Sequence, residues 1–179
     1  MITPIDINYD KWLQLRIQCE QFVNKNQLHS NQFCFTNTDD SNDPSQGCGS
    51  LVWKHNLNNE EQTKVKRDLI YQEEDFTKFN SEYVGTPVHD IYLWMTERYK
   101  IGRFRLMLVK PKVCYTWHRD LNQRLHVPVS THENAYMMFK DLKAKHMPHG
   151  SAYLTDTTEH HTAMNLGERN RIHLVGVVL

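Results

Sequence analysis

The sequence predicts a mainly β protein with flanking α-helices, and three observations predict it. From residue 103 to the end, the chain breaks into short runs of strand-forming residues punctuated by Pro111, Asn122, Asn134 and Gly150. Before residue 103, apolar residues recur at helical spacing in two stretches. Side chains suited to one polar site stand far apart in the strand region, His118 and Asp120 early, His161 and Arg171 late. Many short strands with few helices close as a sandwich or a barrel. A double-stranded β-helix, the jelly-roll arrangement, places an early strand beside a late one and so unites those side chains.

At 179 residues the chain reads as one domain, with residues 1–102 as helical and loop scaffold and 103–179 as the β core. Trp12, Leu15, Cys19 and Phe22 fall on one side of a helix over residues 10–24. Residues 32–36 read as a strand. The segment 37–50, rich in Asn, Asp, Ser, Pro and Gly, reads as a loop, and as a surface excursion rather than a cover over a pocket. The charged stretch 58–83 has no period that assigns it to helix or strand. A second helix runs over residues 87–100. Thr86 suits its N-cap, Pro87 its first position and Gly102 its stop, while Val88, Ile91, Tyr92, Met95 and Tyr99 line the side that packs on a sheet.

Strands follow at 103–109, 113–118, 124–129, 135–140 and 151–156. Residues 161–165 and 171–179 read as two arms of a hairpin around the turn 166–170. Alternation puts His161, Ala163 and Asn165 on one face of the first arm, and Arg171, His173, Val175 and Val177 on one face of the second. Arg103, Arg105, Lys110 and Lys112 read as a solvated strand face. Tyr115 and Trp117 read as packing on the side away from His118.

In an extended strand His118 and Asp120 project to the same side, with Arg119 turned away. A His and a carboxylate on one strand, completed by a distant His, make a 2-His-1-carboxylate facial triad, which holds Fe(II) and leaves coordination positions open. The distant ligand is read as His161, which opens the first arm; its neighbour His160 faces the other way. Arg171 carries a planar fork that donates two parallel hydrogen bonds to a carboxylate, and it shares the pocket if both arms look inward. The implied partner is a small acid that also chelates iron. His146 and His149 lie in a turn-like segment and read as surface residues. His173 reads equally as a partner of Arg171 or as a core histidine, and His132 has no evident partner.

His-x-Asp, a distal His and an Arg ten residues beyond it, on a chain of short strands, resemble the Fe(II)/2-oxoglutarate-dependent oxygenases. Arg124-Leu-His126-Val-Pro128, Met147-Pro-His-Gly150 and His161-x-x-x-Asn165 are similar to the aspartyl/asparaginyl β-hydroxylase-like branch. The resemblance spans residues 103–179. It implies a cupin-like double-stranded β-helix, Fe(II) on His118, Asp120 and His161, the distal carboxylate of 2-oxoglutarate on Arg171, and Arg124 and His126 in the cofactor pocket. Asn165 is expected near the iron or the cofactor. The implied activity is a dioxygenase that uses O2 and 2-oxoglutarate to hydroxylate an unactivated C–H bond of an Asp- or Asn-like side chain, in a peptide or a free amino acid. Some members of the branch carry Gly where Asp120 stands; this chain keeps three donors.

Other readings fit less well. A cupin metal enzyme usually shows His-x-His followed by Glu, which is absent, and a zinc protein leaves Arg171 unexplained. A metal-binding module without catalysis is opposed by the intact donor set together with Arg171. Oxygenases of nucleic acid bases resemble the chain but carry a second Arg six residues beyond the first, where this chain has Val177. Composition agrees: 21 basic residues match 21 acidic ones, so no net field draws the chain to nucleic acid or membrane. With 39% hydrophobic residues and no apolar run approaching about 20 residues, no membrane-spanning helix is expected. The amino-terminal Met-Ile-Thr-Pro-Ile-Asp-Ile lacks a basic, apolar leader, and a cytoplasmic location is expected. Cys19, Cys34, Cys48 and Cys114 form no Cys-x-x-Cys pair and read as reduced thiols acting as small buried hydrophobes.

Overall fold

The computed structural model describes residues 1–25, 27–49, 71–141 and 143–179. In chain order it shows β1 (Ile2–Asp6), α1 (Trp12–Asn24), β2 (Gln32–Cys34), β3 (Thr36–Asn37) and a 3-10 turn at Glu73–Asp75. Then come β4 (Lys78–Phe79), a second 3-10 turn at Ser81–Tyr83, and α2 (Pro87–Thr96). The core follows as β5 (Ile101–Val109), β6 (Val113–Cys114), β7 (Gln123–Ser130), β8 (Ala135–Phe139), β9 (Ala144–His146), β10 (Ser151–Thr155), β11 (His161–Asn165) and β12 (Arg171–Val178). Of the stretch 58–83 left unassigned by its sequence, residues 58–70 lie outside the described residues.

Eight of these strands, β5 to β12, alternate between two sheets. The larger sheet has the order β1-β10-β7-β12-β5-β2 and the smaller β6-β11-β8-β9. Consecutive core strands therefore cross from one sheet to the other, except for the hairpin of β8 and β9, and this is a double-stranded β-helix. The same topology corrects the expected hairpin at 161–179. β11 pairs with β6 and β8, while β12 pairs with β5 and β7. A short turn between two strands suggests that they pair, but here the chain turns a corner, so the two arms face each other across the space between the sheets. Asn165 holds that corner: its amide donates to the carbonyls of Val109 (2.9 Å) and Arg169 (2.7 Å), and its oxygen accepts from Gly167 N–H (3.1 Å).

Prolines mark where the larger sheet tolerates a missing donor. β1, not expected from its sequence, carries Pro4 and lies at the sheet edge against β10. Pro128 lies in β7, where the register with β12 shifts between Ile172 and His173.

Alternation gives the larger sheet two unlike faces. Phe104, Leu106 and Leu108 of β5, Leu125, Val127 and Val129 of β7, and Ile172 and Leu174 of β12 form one apolar core with Leu15, Cys19 and Phe22 of α1 and Val88, Ile91 and Met95 of α2. Each such buried side chain contributes roughly 1.5–3 kcal/mol. The opposite face carries Arg103, Arg105, Arg124, His126, Arg171 and His173, all buried.

Two local expectations are corrected. Thr86 stands at the N-cap of α2 as expected, but its side chain makes no capping bond: its hydroxyl donates to Tyr83 carbonyl (2.7 Å), and Val88 N–H is met by the Gln18 side chain of α1 (3.1 Å). Gly102 lies inside β5 rather than at a helix stop, because α2 ends at Thr96.

Candidate metal centre

His118 and His161 face each other as a β-bridge. Each main-chain N–H donates to the other's carbonyl, at 3.1 and 2.9 Å, and the two rings stand 4.4 Å apart. Asp120 is fixed two residues on by its own N–H, which donates to Thr157 carbonyl (2.8 Å). Together these pairings put one donor atom from each of His118, Asp120 and His161 within 4.8 Å of one another. The strand expected over 113–118 is short, since β6 ends at Cys114. Alternation therefore fails beyond it. Tyr115 lines the cavity, with its hydroxyl donating to Leu108 carbonyl (3.0 Å), and Trp117 is 47% exposed; neither packs as expected.

Both imidazoles are oriented for a ligand. The Nδ1 of His118 lies 2.8 Å from Thr116 carbonyl, and the Nδ1 of His161 lies 2.9 Å from Glu159 carbonyl. A carbonyl only accepts, so each ring carries its proton on Nδ1 and leaves the Nε2 lone pair free. Fixing the tautomer through the other ring nitrogen is what metal-binding histidines require. Burial pushes His161 below the ordinary histidine value and keeps it neutral. The Nε2 of His161 lies 3.8 Å from Asp120 Oδ2.

The three residues border a cavity of about 720 Å³ between the sheets, whose wall includes Arg105, Arg124, His126 and Arg171. Arg171 is buried and has no carboxylate partner among the described residues; one N–H reaches His173 Nδ1 (3.2 Å). Burial lowers its guanidinium to about 10, still protonated at neutral pH. The Nε2 of His126, also buried, has no hydrogen-bond partner among the described residues. Burial, with the charges of Arg171 and Arg124, holds His126 well below its ordinary value.

Several sequence expectations differ from what the site shows. Asn165 is not in the cavity wall, because its amide is taken up at the corner between β11 and β12. Arg124 does border the cavity, but its terminal nitrogens are engaged by Glu73 and Asp120 rather than open to a cofactor. Arg103 and Arg105 are not a solvated face. Arg105 is buried on Gln32 Oε1 (2.8 Å) and lowered to about 9, by burial first and by Arg103 and Arg124 next. Two residues of the segment 37–50 meet them: the carbonyls of Gly47 and Gly49 accept from Arg103 at 3.2 and 3.1 Å, and Gly49 lies in the cavity wall. His146 belongs to β9, with Nδ1 2.9 Å from Ala135 carbonyl, and His132 lies 3.1 Å from Arg169 carbonyl. All four cysteines are free, but Cys114 is exposed rather than buried.

A family model described as aspartyl/asparaginyl beta-hydroxylase matches residues 10–178. The chain belongs to that family. It is the branch of Fe(II)/2-oxoglutarate oxygenases that the motifs around His118 and His161 resemble, and the family match extends through the helices that the motifs do not cover. No curated protein matches the chain. Among solved structures, the viral collagen prolyl hydroxylase of Paramecium bursaria Chlorella virus-1, in complex with 2-oxoglutarate, is 13% identical with a TM-score of 0.48, covering 99% of this chain and 94% of that one. A 2OG-Fe(II) oxygenase family protein from Burkholderia pseudomallei is 12% identical with a TM-score of 0.40, covering 54% of this chain and 47% of that one. A cupin domain from Bordetella pertussis Tohama I is 14% identical with a TM-score of 0.39, covering 43% of this chain and 80% of that one. The donor set of two imidazoles and one carboxylate fits Fe(II), and the buried Arg171 fits a carboxylate of 2-oxoglutarate. No helix among the described residues is long and apolar enough to cross a membrane.

Proposed function

We propose that this β-hydroxylase family member is an Fe(II)- and 2-oxoglutarate-dependent dioxygenase that hydroxylates an aspartyl or closely similar side chain, in a peptide or as a free amino acid. The observation that carries the reading is one cavity that joins the His118, Asp120 and His161 donors to a buried Arg171 that has no carboxylate partner among the described residues. In this reading His118, Asp120 and His161 hold the iron, with Nε2 of each ring as ligand. Arg171, steadied by His173, pairs with the distal carboxylate of 2-oxoglutarate, and His126 donates or accepts beside it through its free Nε2. Bound iron and 2-oxoglutarate supply, with O2, the oxidation that inserts one oxygen into a C–H bond while 2-oxoglutarate becomes succinate and carbon dioxide. The chain's own contribution is to orient these groups and to exclude water around them.

Charge favours an acidic substrate over its amide. Four buried guanidiniums, those of Arg103, Arg105, Arg124 and Arg171, stand against the carboxylates of Glu73 and Asp120 among the described residues lining the cavity. Iron adds two positive charges and 2-oxoglutarate removes two, so a positive excess persists in the loaded site. An aspartyl carboxylate offsets part of it, and Arg105, which lines the cavity and has no carboxylate partner among the described residues, is placed to receive it; an asparaginyl amide offsets none. The experiment is to supply Fe(II), 2-oxoglutarate and O2 with matched aspartyl and asparaginyl peptides and with free aspartate, reading succinate and a one-oxygen mass gain. Substrate-dependent succinate with an aspartyl product supports the reading. Preference for the asparaginyl peptide overturns the charge argument, and succinate that no acidic substrate stimulates overturns the substrate class.

A further inference from the structure

We propose that Glu73 is a positioning residue that, through Arg124, fixes how Asp120 presents its carboxylate to the metal. The inference rests on the reading of Asp120 as a ligand and extends it to a residue in a stretch whose sequence shows no motif. Glu73 lies in the 3-10 turn Glu73–Asp75, with its side chain 6% exposed. Its two oxygens receive both terminal nitrogens of Arg124 in a forked pair, Oε2 from one at 3.0 Å and Oε1 from the other at 2.8 Å. Arg103 donates to Oε1 as well, at 2.7 Å. Burial alone would raise the Glu73 carboxyl, but the charges of Arg124, Arg103 and Arg105 outweigh it and hold it ionised below its ordinary value.

The consequence falls on Asp120. The Arg124 nitrogen that meets Glu73 Oε1 also meets Asp120 Oδ1, at 3.1 Å, while Asp120 Oδ2 is the oxygen that faces His161. One carboxylate oxygen is thus occupied by a guanidinium and the other is left for the iron. Without Glu73, Arg124 would be free to take both oxygens of Asp120 in the same fork and to compete with the metal for them. Glu73 prevents this by holding the fork itself. This gives Arg124 a part at the metal carboxylate that the Arg-x-His resemblance does not give it.

The backbone is shaped to keep Glu73 there. Gly102 lies so close to the turn that a Cβ on it would collide with the Glu73 carbonyl oxygen, so glycine is what lets β5 and the turn touch. Asn122, between Asp120 and Arg124 in the chain, adds a longer contact to Glu73 Oε2 at 3.4 Å, and its own carbonyl is held by Thr157 Oγ1 at 2.8 Å. Thr157 is the residue whose carbonyl fixes Asp120 N–H.

The test is a double-substitution cycle read by Mn(II) binding to the whole protein, which needs no turnover. Glu73→Gln is expected to weaken Mn(II) by ~10–100-fold in the wild-type background. In the Asp120→Asn background the same change is expected to do nothing further, because its route to the metal has gone. Gly102→Ala, which pushes the turn away with every charge retained, repeats the comparison if Glu73→Gln does not fold. Equal weakening with and without Asp120, or a lowered melting temperature with Mn(II) affinity unchanged, would overturn the proposal. If Asp120→Asn itself leaves Mn(II) affinity untouched, the ligand reading fails, and the proposal built on it fails for that separate reason.

Discussion

On β5, Phe104, Leu106 and Leu108 point to the helices, and Arg103, Arg105 and Met107 point to the cavity, so one strand contributes to two regions of opposite character. The outer face is apolar, shared among three central strands and two helices, and carries the fold. The inner face buries four guanidiniums and two histidines against two carboxylates among the described residues, and it costs stability to assemble. The difference teaches where function is located: an arrangement that hydrophobic burial alone would not choose is kept where a doubly charged metal and carboxylate ligands are to be bound.

Substitutions on the two faces should therefore differ in sign as well as size. Phe104→Ala removes a fully buried ring from the outer face, and a loss of about 3–5 kcal/mol is expected in chemical denaturation. Arg105→Met, on the next residue but across the sheet, is expected to raise stability by roughly 1–4 kcal/mol, since a buried charge without a carboxylate partner among the described residues is replaced by apolar volume. The same variant should lose turnover of an aspartyl substrate. If both changes destabilise alike, the contrast between the faces is wrong.

Acid should act on the inner face through its buried histidines. His126 and His173 are both held well below their ordinary value, by burial first and by Arg171 next. The folded state keeps them neutral while the unfolded state gains protons below about pH 6.5, so their contribution is present above that pH and is lost as pH falls below it. Each adds up to about 1.4 kcal/mol of lost stability per pH unit, readable as the denaturation midpoint against pH. His173→Leu should flatten that slope; an unchanged slope would count against the burial of the ring. The smallest effect expected is at the outer helices, where Gln18→Ala leaves Val88 N–H without its side-chain acceptor and should cost about 1 kcal/mol, more than Thr86→Ala.

Legibility in the sequence follows the same division. The outer helices were readable because apolar residues at helical spacing in α1 and α2 need only local pattern, and β5, β7 and β12 were readable as runs of strand-forming residues between turn signals. His118, Asp120, His161 and Arg171 were readable because motif and spacing mark them, and the cavity does bring all four together. Alternation shows that two sets of residues face opposite ways but not which set is enclosed, so Arg103 and Arg105 read as solvated. The pairing of β11 and β12 was misread because a short turn says nothing about which sheet each strand joins. Glu73 was invisible, since its partners Arg103 and Arg124 lie 30 and 51 residues away and nothing local announces an ion pair.

The most direct measurement is an anaerobic titration of Fe(II) and 2-oxoglutarate into wild-type protein and Arg171→Ala, followed by the weak visible charge-transfer absorption of the iron-bound 2-oxo acid. The account predicts the band in the wild type, and a demand for about 30-fold more 2-oxoglutarate, or greater, once the buried guanidinium is gone, as the loss of ~2 kcal/mol or more from a buried charge pair requires. A wild type that takes up metal without developing the band, or a variant that saturates at the same 2-oxoglutarate concentration, would contradict it.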